Sequence, residues 1–584
     1  PGEIVLILST FLPQHDLAQF VLVCKYWYKL LISHLYRHVK LPLHDYCGSE
    51  YDPIRCNRDL PIRRFTTFIL NKLTFAPFIR SLELYARNCE VEWYHQGPLE
   101  PVDEQKCRSF MLPYGDANSE HRRKFQEWRR DLKHSSERQD SHRPYRYEDA
   151  WLALLMVQLN NLEEFAIELA EEWDHLVGGQ VDRLKNSVHF ERVLEWARNP
   201  ELGILTRLER VSLANGPAFW QQGTAMNAVS FNRVMPYLKI PSLRRISVKK
   251  ACDRTEFSMP RDLIFPLTHL DLLVPNDGVP HLPSLLKRCP QLQSLTLELG
   301  DWGENETHGY LDYSALHLPL QRSQYSLRHL SLTFEGHGTC QEANIPAPAF
   351  FGSLVKFCNL QSIHMRWSNL MSFSEVGLVY GVHEPTISLR DVLPRSLQHL
   401  WIDDCLIQCS LPLCREIECL LIDSSETFVQ LKTIYLRYAA KEQVSEEICI
   451  RGVGGHGSDW RVMKADPIIG GRLLDLQDNF RALDVDFWVI PTRDTAVSFP
   501  PNDAIEKNRP EGISGRILEY TFLLGLLVQG PWLTVSGSPT NESFVKEIIC
   551  EVRSEYMTDG KDRGSSTESK VCISRALLLF GAVT

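Results

Sequence analysis

The chain has 584 residues, 44% of them hydrophobic and 23% charged, with 63 basic and 73 acidic side chains and a formal net charge of −10. That composition supplies a sizeable core, and the length suits about three or four average domains or one long solenoid. The negative balance argues against a general nucleic-acid binder, which needs a dominant basic face, and no stretch reaches the length and apolarity of a membrane span.

The first 41 residues predict three short helices. Ile4, Ile7, Leu8 and Phe11 share one helix face. Pro13 ends that helix, Asp16 is placed to cap a second carrying Leu17, Phe20 and Val21, and a third runs from about Lys25 with Trp27, Leu30, Leu31 and Leu35 inward. So small a unit buries too little to stand alone and tends to need a partner. Its clusters are Pro1-Gly2-Glu3-Ile4, Asp16-Leu17, Val23-Cys24-Lys25-Tyr26-Trp27 and Leu35-Tyr36-Arg37. In order and spacing they resemble the F-box, against the alternative of an ordinary amphipathic helical hairpin. The leucine that the family places ahead of the proline is absent, as is an initiator Met, so the chain reads as truncated there. The resemblance implies docking on a small Skp-type adaptor and, through it, a cullin. It points to Pro1, Ile4, Ile7, Leu8, Leu12, Leu17, Val23, Cys24 and Trp27 as the docking residues, with Trp27 above all able instead to hold the helices together.

One pattern then recurs ten times, Leu-x-x-Leu-x-Leu in loose form. Its starts are Ile79, Leu162, Leu208, Leu243, Leu267, Leu292, Leu327, Leu360, Leu397 and Leu431, and from Leu208 onward they fall 35, 24, 25, 35, 33, 37 and 34 residues apart. The second and third anchors alternate with polar residues, as in a short strand buried on one side. Between copies there is room for a returning helix. Residues 279–290, with Pro283 in the first turn and Pro290 past the end, predict one, and residues 347–358 predict another. A strand and its return helix cannot bury their apolar side alone, so copies stack in parallel. This resembles an irregular leucine-rich-repeat solenoid of the kind that follows an F-box in fungal proteins, although the Asn or Cys common after the anchors is mostly missing. A mixed α/β domain with unrelated parallel strands is the alternative.

The expected fold class is therefore α/β: an F-box at 1–41, a solenoid at 42–440 and a cap or loosely ordered extension at 441–584. A charged insertion at about 100–148 breaks the repeats. Its residues 119–144 are dense in charge and weak in apolar periodicity, which predicts a helix tip and a mobile segment.

Sixteen cysteines lie scattered without a CxxC pair, and Cys405, Cys409, Cys414 and Cys419 lack zinc-site spacing. Reduced, packed thiols fit a cytosolic or nuclear compartment. The cluster Gly452-Val-Gly-Gly-His-Gly457 lacks the Lys-Ser/Thr of a phosphate loop, and no HExxH or GxSxG occurs. His34 with His38, and His456 with Asp459, read as packing or exposed groups rather than as a metal or acid–base site. No enzyme activity, cofactor or metal is expected.

Binding is better supported. Residues between anchors project from the concave face, with neighbouring strands about 4.8 Å apart. Most of these positions are small and polar, but the last three repeats offer His364, Arg366, His399, Trp401, Asp403, Tyr435 and Arg437. Exposed Trp, Tyr and Arg side by side are residues that dominate interfaces. Packing of Trp401 and Tyr435 beneath the C-terminal region is the alternative. The function expected from both resemblances is that of a substrate-recognition subunit of a cullin–RING (SCF-type) ubiquitin ligase, holding an acidic or phosphorylated protein target. An F-box scaffold outside any ligase, or an enzyme within 441–584, are the other readings.

Overall fold

The structure, a computed structural model, describes residues 2–43, 61–86, 119–134, 145–169, 188–215, 229–252, 263–275, 281–300, 313–335, 350–373, 385–405, 410–423, 426–438 and 467–490. All of them belong to one compact unit, residues 1–495.

The three predicted helices form: α1 (Gly2–Ser9), α2 (Gln14–Val23) and α3 (Lys25–Leu35). Helix α2 starts earlier than expected. Pro13 is its N-cap residue, and Asp16 sits in the first turn, where a negative charge favours the helix dipole instead of capping it. Leu17, Val21, Leu31 and Ile32 are buried between the helices. Beyond α3, the Tyr36 ring stacks on Phe68 and Phe75 at 5.7 and 4.9 Å, which seats this unit on the first return segment of the repeats.

The repeats build one parallel sheet of twelve strands in chain order. They are β1 (His38–Leu43), β2 (Ser81–Ala86), β3 (Glu164–Leu169), β4 (Arg210–Asn215), β5 (Arg245–Val248), β6 (His269–Pro275), β7 (Ser294–Gly300), β8 (His329–Glu335), β9 (Ser362–Arg366), β10 (His399–Cys405), β11 (Thr433–Tyr438) and β12 (Asp486–Ile490). The register is the one the anchors predict: Leu82 pairs with Phe165, Phe165 with Val211, Leu295 with Leu330, and Leu400 with Ile434. Each of these anchors is buried, and the residues between them face the open side of the sheet.

Two strands extend the sheet past the expected bounds. β1 precedes the first recognised repeat, with Val39 and Leu41 opposite Leu82 and Leu84, so the sheet begins inside the segment assigned to the F-box. β12 follows the last, with Phe487 and Val489 opposite Ile434 and Leu436. Its return helix, Pro467–Ala482, packs on Ser410–Asp423, so part of the supposed extension is one more repeat. Asp484 stands where the first anchor would be, in the left-handed region at φ 60°, and that is why the pattern broke there.

The return segments are less helical than predicted. Leu282–Leu286 is a helix with Pro283 in its first turn, as expected but shorter. The described residues 350–358 form turns and no helix; Gly352 takes φ 120°, a conformation open essentially to glycine alone.

The charged insertion holds a packed helix. Ser119–His134 lies on Tyr145–Gln158, which also packs on Pro61–Asn71 and Val188–Ala197. Trp128 is buried, donates its indole N–H to the Ala150 carbonyl at 3.0 Å and stacks on His189 at 5.6 Å. His189 Nε2 meets Asp131 Oδ2 at 2.9 Å. Asp149 accepts the backbone N–H groups of His189 and Phe190 at 2.8 and 3.1 Å, satisfying the start of the helix Val188–Ala197. The expected helix tip is present over residues 119–134, and it is packed rather than free: a few buried aromatic and hydrogen-bonded groups anchor a helix whose remaining surface is charged. Residues 101–118 and 135–144 lie outside the described residues.

Backbone and side chain stitch each repeat to the one before. The Glu163 carbonyl accepts from both Glu209 and Arg210, the Thr268 carbonyl from both Gln293 and Ser294, and the Gln361 carbonyl from both Gln398 and His399. The residue just ahead of the first anchor adds a side-chain bond. Ser242 donates to Leu208, Ser326 to Leu292 and Ser396 to Leu360, at 2.9, 2.8 and 2.8 Å. Asn161 and Asn359 donate likewise to Pro77 and Tyr325 at 3.0 and 2.6 Å. The consensus Asn missing after the anchors is answered by a Ser or Asn before them.

Candidate functional site

At the C-terminal end of the open face the central column runs Ser331, His364, Trp401, Tyr435 and Trp488 across β8 to β12. His364 and Trp401 lie with ring centres 5.1 Å apart, and Trp401 stacks on Tyr435 at 4.7 Å. The predicted neighbourhood of Trp401 and Tyr435 is present.

The predicted exposure of Trp401 is not. It is 2% exposed, and His364 and Asp403 are buried as well. The physical reason is Asp403. Its carboxylate accepts the Trp401 indole N–H at 2.7 Å and meets His364 Nε2 at 2.8 Å, and the Arg437 guanidinium bonds to it from the next strand. Trp401 is thereby held between its neighbours, tilted 48° to the His364 ring and stacked on Tyr435. Burial pushes the Asp403 carboxyl up, but hydrogen bonds and charge from His364 and Arg437 outweigh it and hold the group below its ordinary value. An ionised carboxylate sits in the sheet face because three donors converge on it.

The remaining predicted target residues divide. Tyr435, Arg366 and Arg437 are half-buried, and His399 is half-buried with Nδ1 2.8 Å from Thr433 Oγ1. Burial, then the Asp486 charge, raises the Tyr435 pKa; burial, then Lys432, lowers that of His399. The Arg437 charge, which the expected acidic or phosphorylated ligand would need, is already met by Asp403. Half-buried Trp488 belongs to the same surface and was missed because β12 was. The cluster is a packed row of rings tied together by the ion pair of Asp403 with Arg437.

The other predicted site lies on the three helices. Val23 is 70% exposed, Cys24 is exposed and Ile7 is half exposed, while Leu12 and Trp27 are half-buried. Trp27 contacts Phe20 edge-on at 5.9 Å. Leu17 is buried in the core and cannot meet a partner, because the face of α2 that it occupies turns toward α3. Pro1 and the side chains of Ile4 and Leu8 lie outside the described residues. Sequence reasoning missed Leu22, 78% exposed, and Tyr26, also exposed, whose apolar character reads as core.

His34 is hydrogen-bonded to Ser9 at 3.1 Å, and burial followed by Arg37 lowers its pKa. Cys405 and Cys414 are buried free thiols, with burial pushing Cys414 up to about 11, whereas Cys419 is exposed. Residues 452–459 and Cys409 lie outside the described residues.

No curated protein matches the chain. A family model described as a leucine-rich repeat domain matches residues 128–412, beginning within the helix Ser119–His134. The parallel sheet and its anchor register agree with that match, and such a domain fits a protein-interaction or substrate-recognition role.

Proposed function

We propose that this chain is the substrate-recognition subunit of a cullin–RING (SCF-type) ubiquitin ligase. Helices α1 to α3 act as an F-box on a Skp-type adaptor, and the repeats hold a protein target against the open face of the sheet. The supporting observation is the apolar surface that these helices leave uncovered. Leu22, Val23, Tyr26 and Tyr28 follow one another around the α2–α3 junction, all exposed, and Ile7 is exposed on α1. Large apolar side chains grouped in this way mark a surface that a partner covers. The chain then performs no chemistry. It acts by proximity, raising the effective concentration of target lysines near an activated ubiquitin thioester in the cytoplasm or nucleus.

Co-purification tests this. The full chain expressed with a tag is expected to recover a Skp-type adaptor together with a cullin. Recovery of adaptor without cullin points to a scaffold outside a ligase, and recovery of neither removes the proposal.

A further inference from the structure

We infer that the side of the repeats opposite the open sheet face carries a second docking site, for a short acidic protein segment with an apolar residue at its centre. A cleft of about 870 Å³ lies across three successive return segments. Lys287, Arg322 and Lys356 line it, and no carboxylate does among the described residues. Lys287 and Arg322 occupy the same place in their repeats, each seven residues ahead of the next strand, and Lys356 is one residue off that place in the following repeat. In the next repeat the residue seven ahead of the strand is the buried Val392, and in the one after it is Glu426, so the positive stripe ends at Lys356.

These cations differ from those on the open face. There Lys40 pairs with Glu83, Arg210 with Glu164 and Arg437 with Asp403. Lys287, Arg322 and Lys356 have no ion-pair partner among the described residues. Arg322 is steadied by one bond, from Nη1 to the Lys287 carbonyl at 3.4 Å, which leaves its other guanidinium donors for a carboxylate. Two large apolar side chains complete the cleft: Leu318 is 72% exposed and Tyr325 is 71% exposed. Pro283 and Pro319 stiffen the walls, so binding forfeits little conformational freedom.

Three unpaired cations beside exposed Leu and Tyr fit carboxylates flanking one apolar side chain. Long polyanions fit poorly, because they would extend past the cleft over a chain whose net charge is −10. The site shares no residue with the open-face surface or with the three helices, so it stands or falls apart from the ligase proposal.

The test titrates the full chain into a fluorescein-labelled synthetic peptide of Glu and Asp around a central Leu, followed by anisotropy. Saturable binding that weakens with salt is expected. The variant Lys287→Ala/Arg322→Ala/Lys356→Ala, and separately Tyr325→Ala, should each weaken it at least about tenfold. Both change exposed side chains, and circular dichroism confirms folding. Should the triple variant misfold, Tyr325→Ala decides alone. Absence of saturable binding, equal binding by a folded variant, or capture of heparin or phosphatidylserine vesicles as tight as that of the peptide overturns the inference.

Discussion

The indole N–H of Trp401 donates to Asp403, two residues further along the same strand, at 2.7 Å. Residues two apart on a strand share a face, so one carboxylate holds a tryptophan of its own strand while taking His364 from one neighbour and Arg437 from the other. Replacing Asp403 with Ala leaves those donors buried without their acceptor. The expected loss is about 3–5 kcal/mol, read as a lower urea midpoint of the full chain at unchanged slope. A midpoint within error of wild type would show that the triad contributes nothing.

The exposed face of the three helices should be separable from their fold. Leu22→Asp with Val23→Asp is expected to abolish recovery of a Skp-type adaptor, because a charge placed in a desolvated contact carries a penalty of several kcal/mol. Both side chains are mostly exposed, so the helical circular dichroism signal should not change. Leu17→Asp should instead unfold the unit, since that residue is core. Full adaptor binding by the first variant would exclude this surface.

On the open face, target binding is expected to depend on Tyr435, Trp488 and Arg366 rather than on Trp401 as a contact. Combined alanine substitution of the three should deplete co-purified targets while adaptor recovery stays at the wild-type level. Quantitative mass spectrometry of the two purifications decides it, and an unchanged target set would move the site elsewhere.

Two buried carboxylates should give opposite pH dependences. Burial pushes Asp149 from its ordinary 3.8 up to about 7, against the pull of its two backbone hydrogen bonds. The folded state therefore binds a proton that the unfolded state has released. Stability from this group is full below about 4 and is lost as pH rises toward about 7. Asp403, held below its ordinary value, contributes stability above that value and loses it as pH falls through the lower one. Urea midpoints against pH should flatten between about 4 and 7 in Asp149→Asn, and lose part of the acid-side drop in Asp403→Asn.

The inter-repeat serines offer a smaller test. Ser326→Ala and Ser396→Ala each remove a hydrogen bond to the preceding repeat and should cost about 1 kcal/mol apiece, additively, since they lie two repeats apart. Chemical denaturation of the single and double variants measures this.

The register of the sheet was readable from the chain because the anchors recur with a period of two and each repeat meets only its neighbours. Leu295 opposite Leu330 and Leu400 opposite Ile434 need no long-range information. The three helices were readable for the same reason, their apolar spacing being local. The end strands were not, because Val39 and Leu41 lie within the F-box resemblance and Asp484 replaces an anchor leucine. The packing of the helix 119–134 was not readable because its charge hides Trp128 and Asp131, whose partners Ala150 and His189 come from two other helices.

What the sequence alone determined is thus the repeating unit, its direction of stacking and which side of each strand is buried. What only the tertiary structure decided is which polar residues of the open face remain available. Trp401 stands in a column of residues that face outward, and within its own repeat its indole N–H bonds to Asp403. It is buried because His364 and Arg437, from repeats on either side, converge on that carboxylate, and a partly desolvated charge takes every donor within reach.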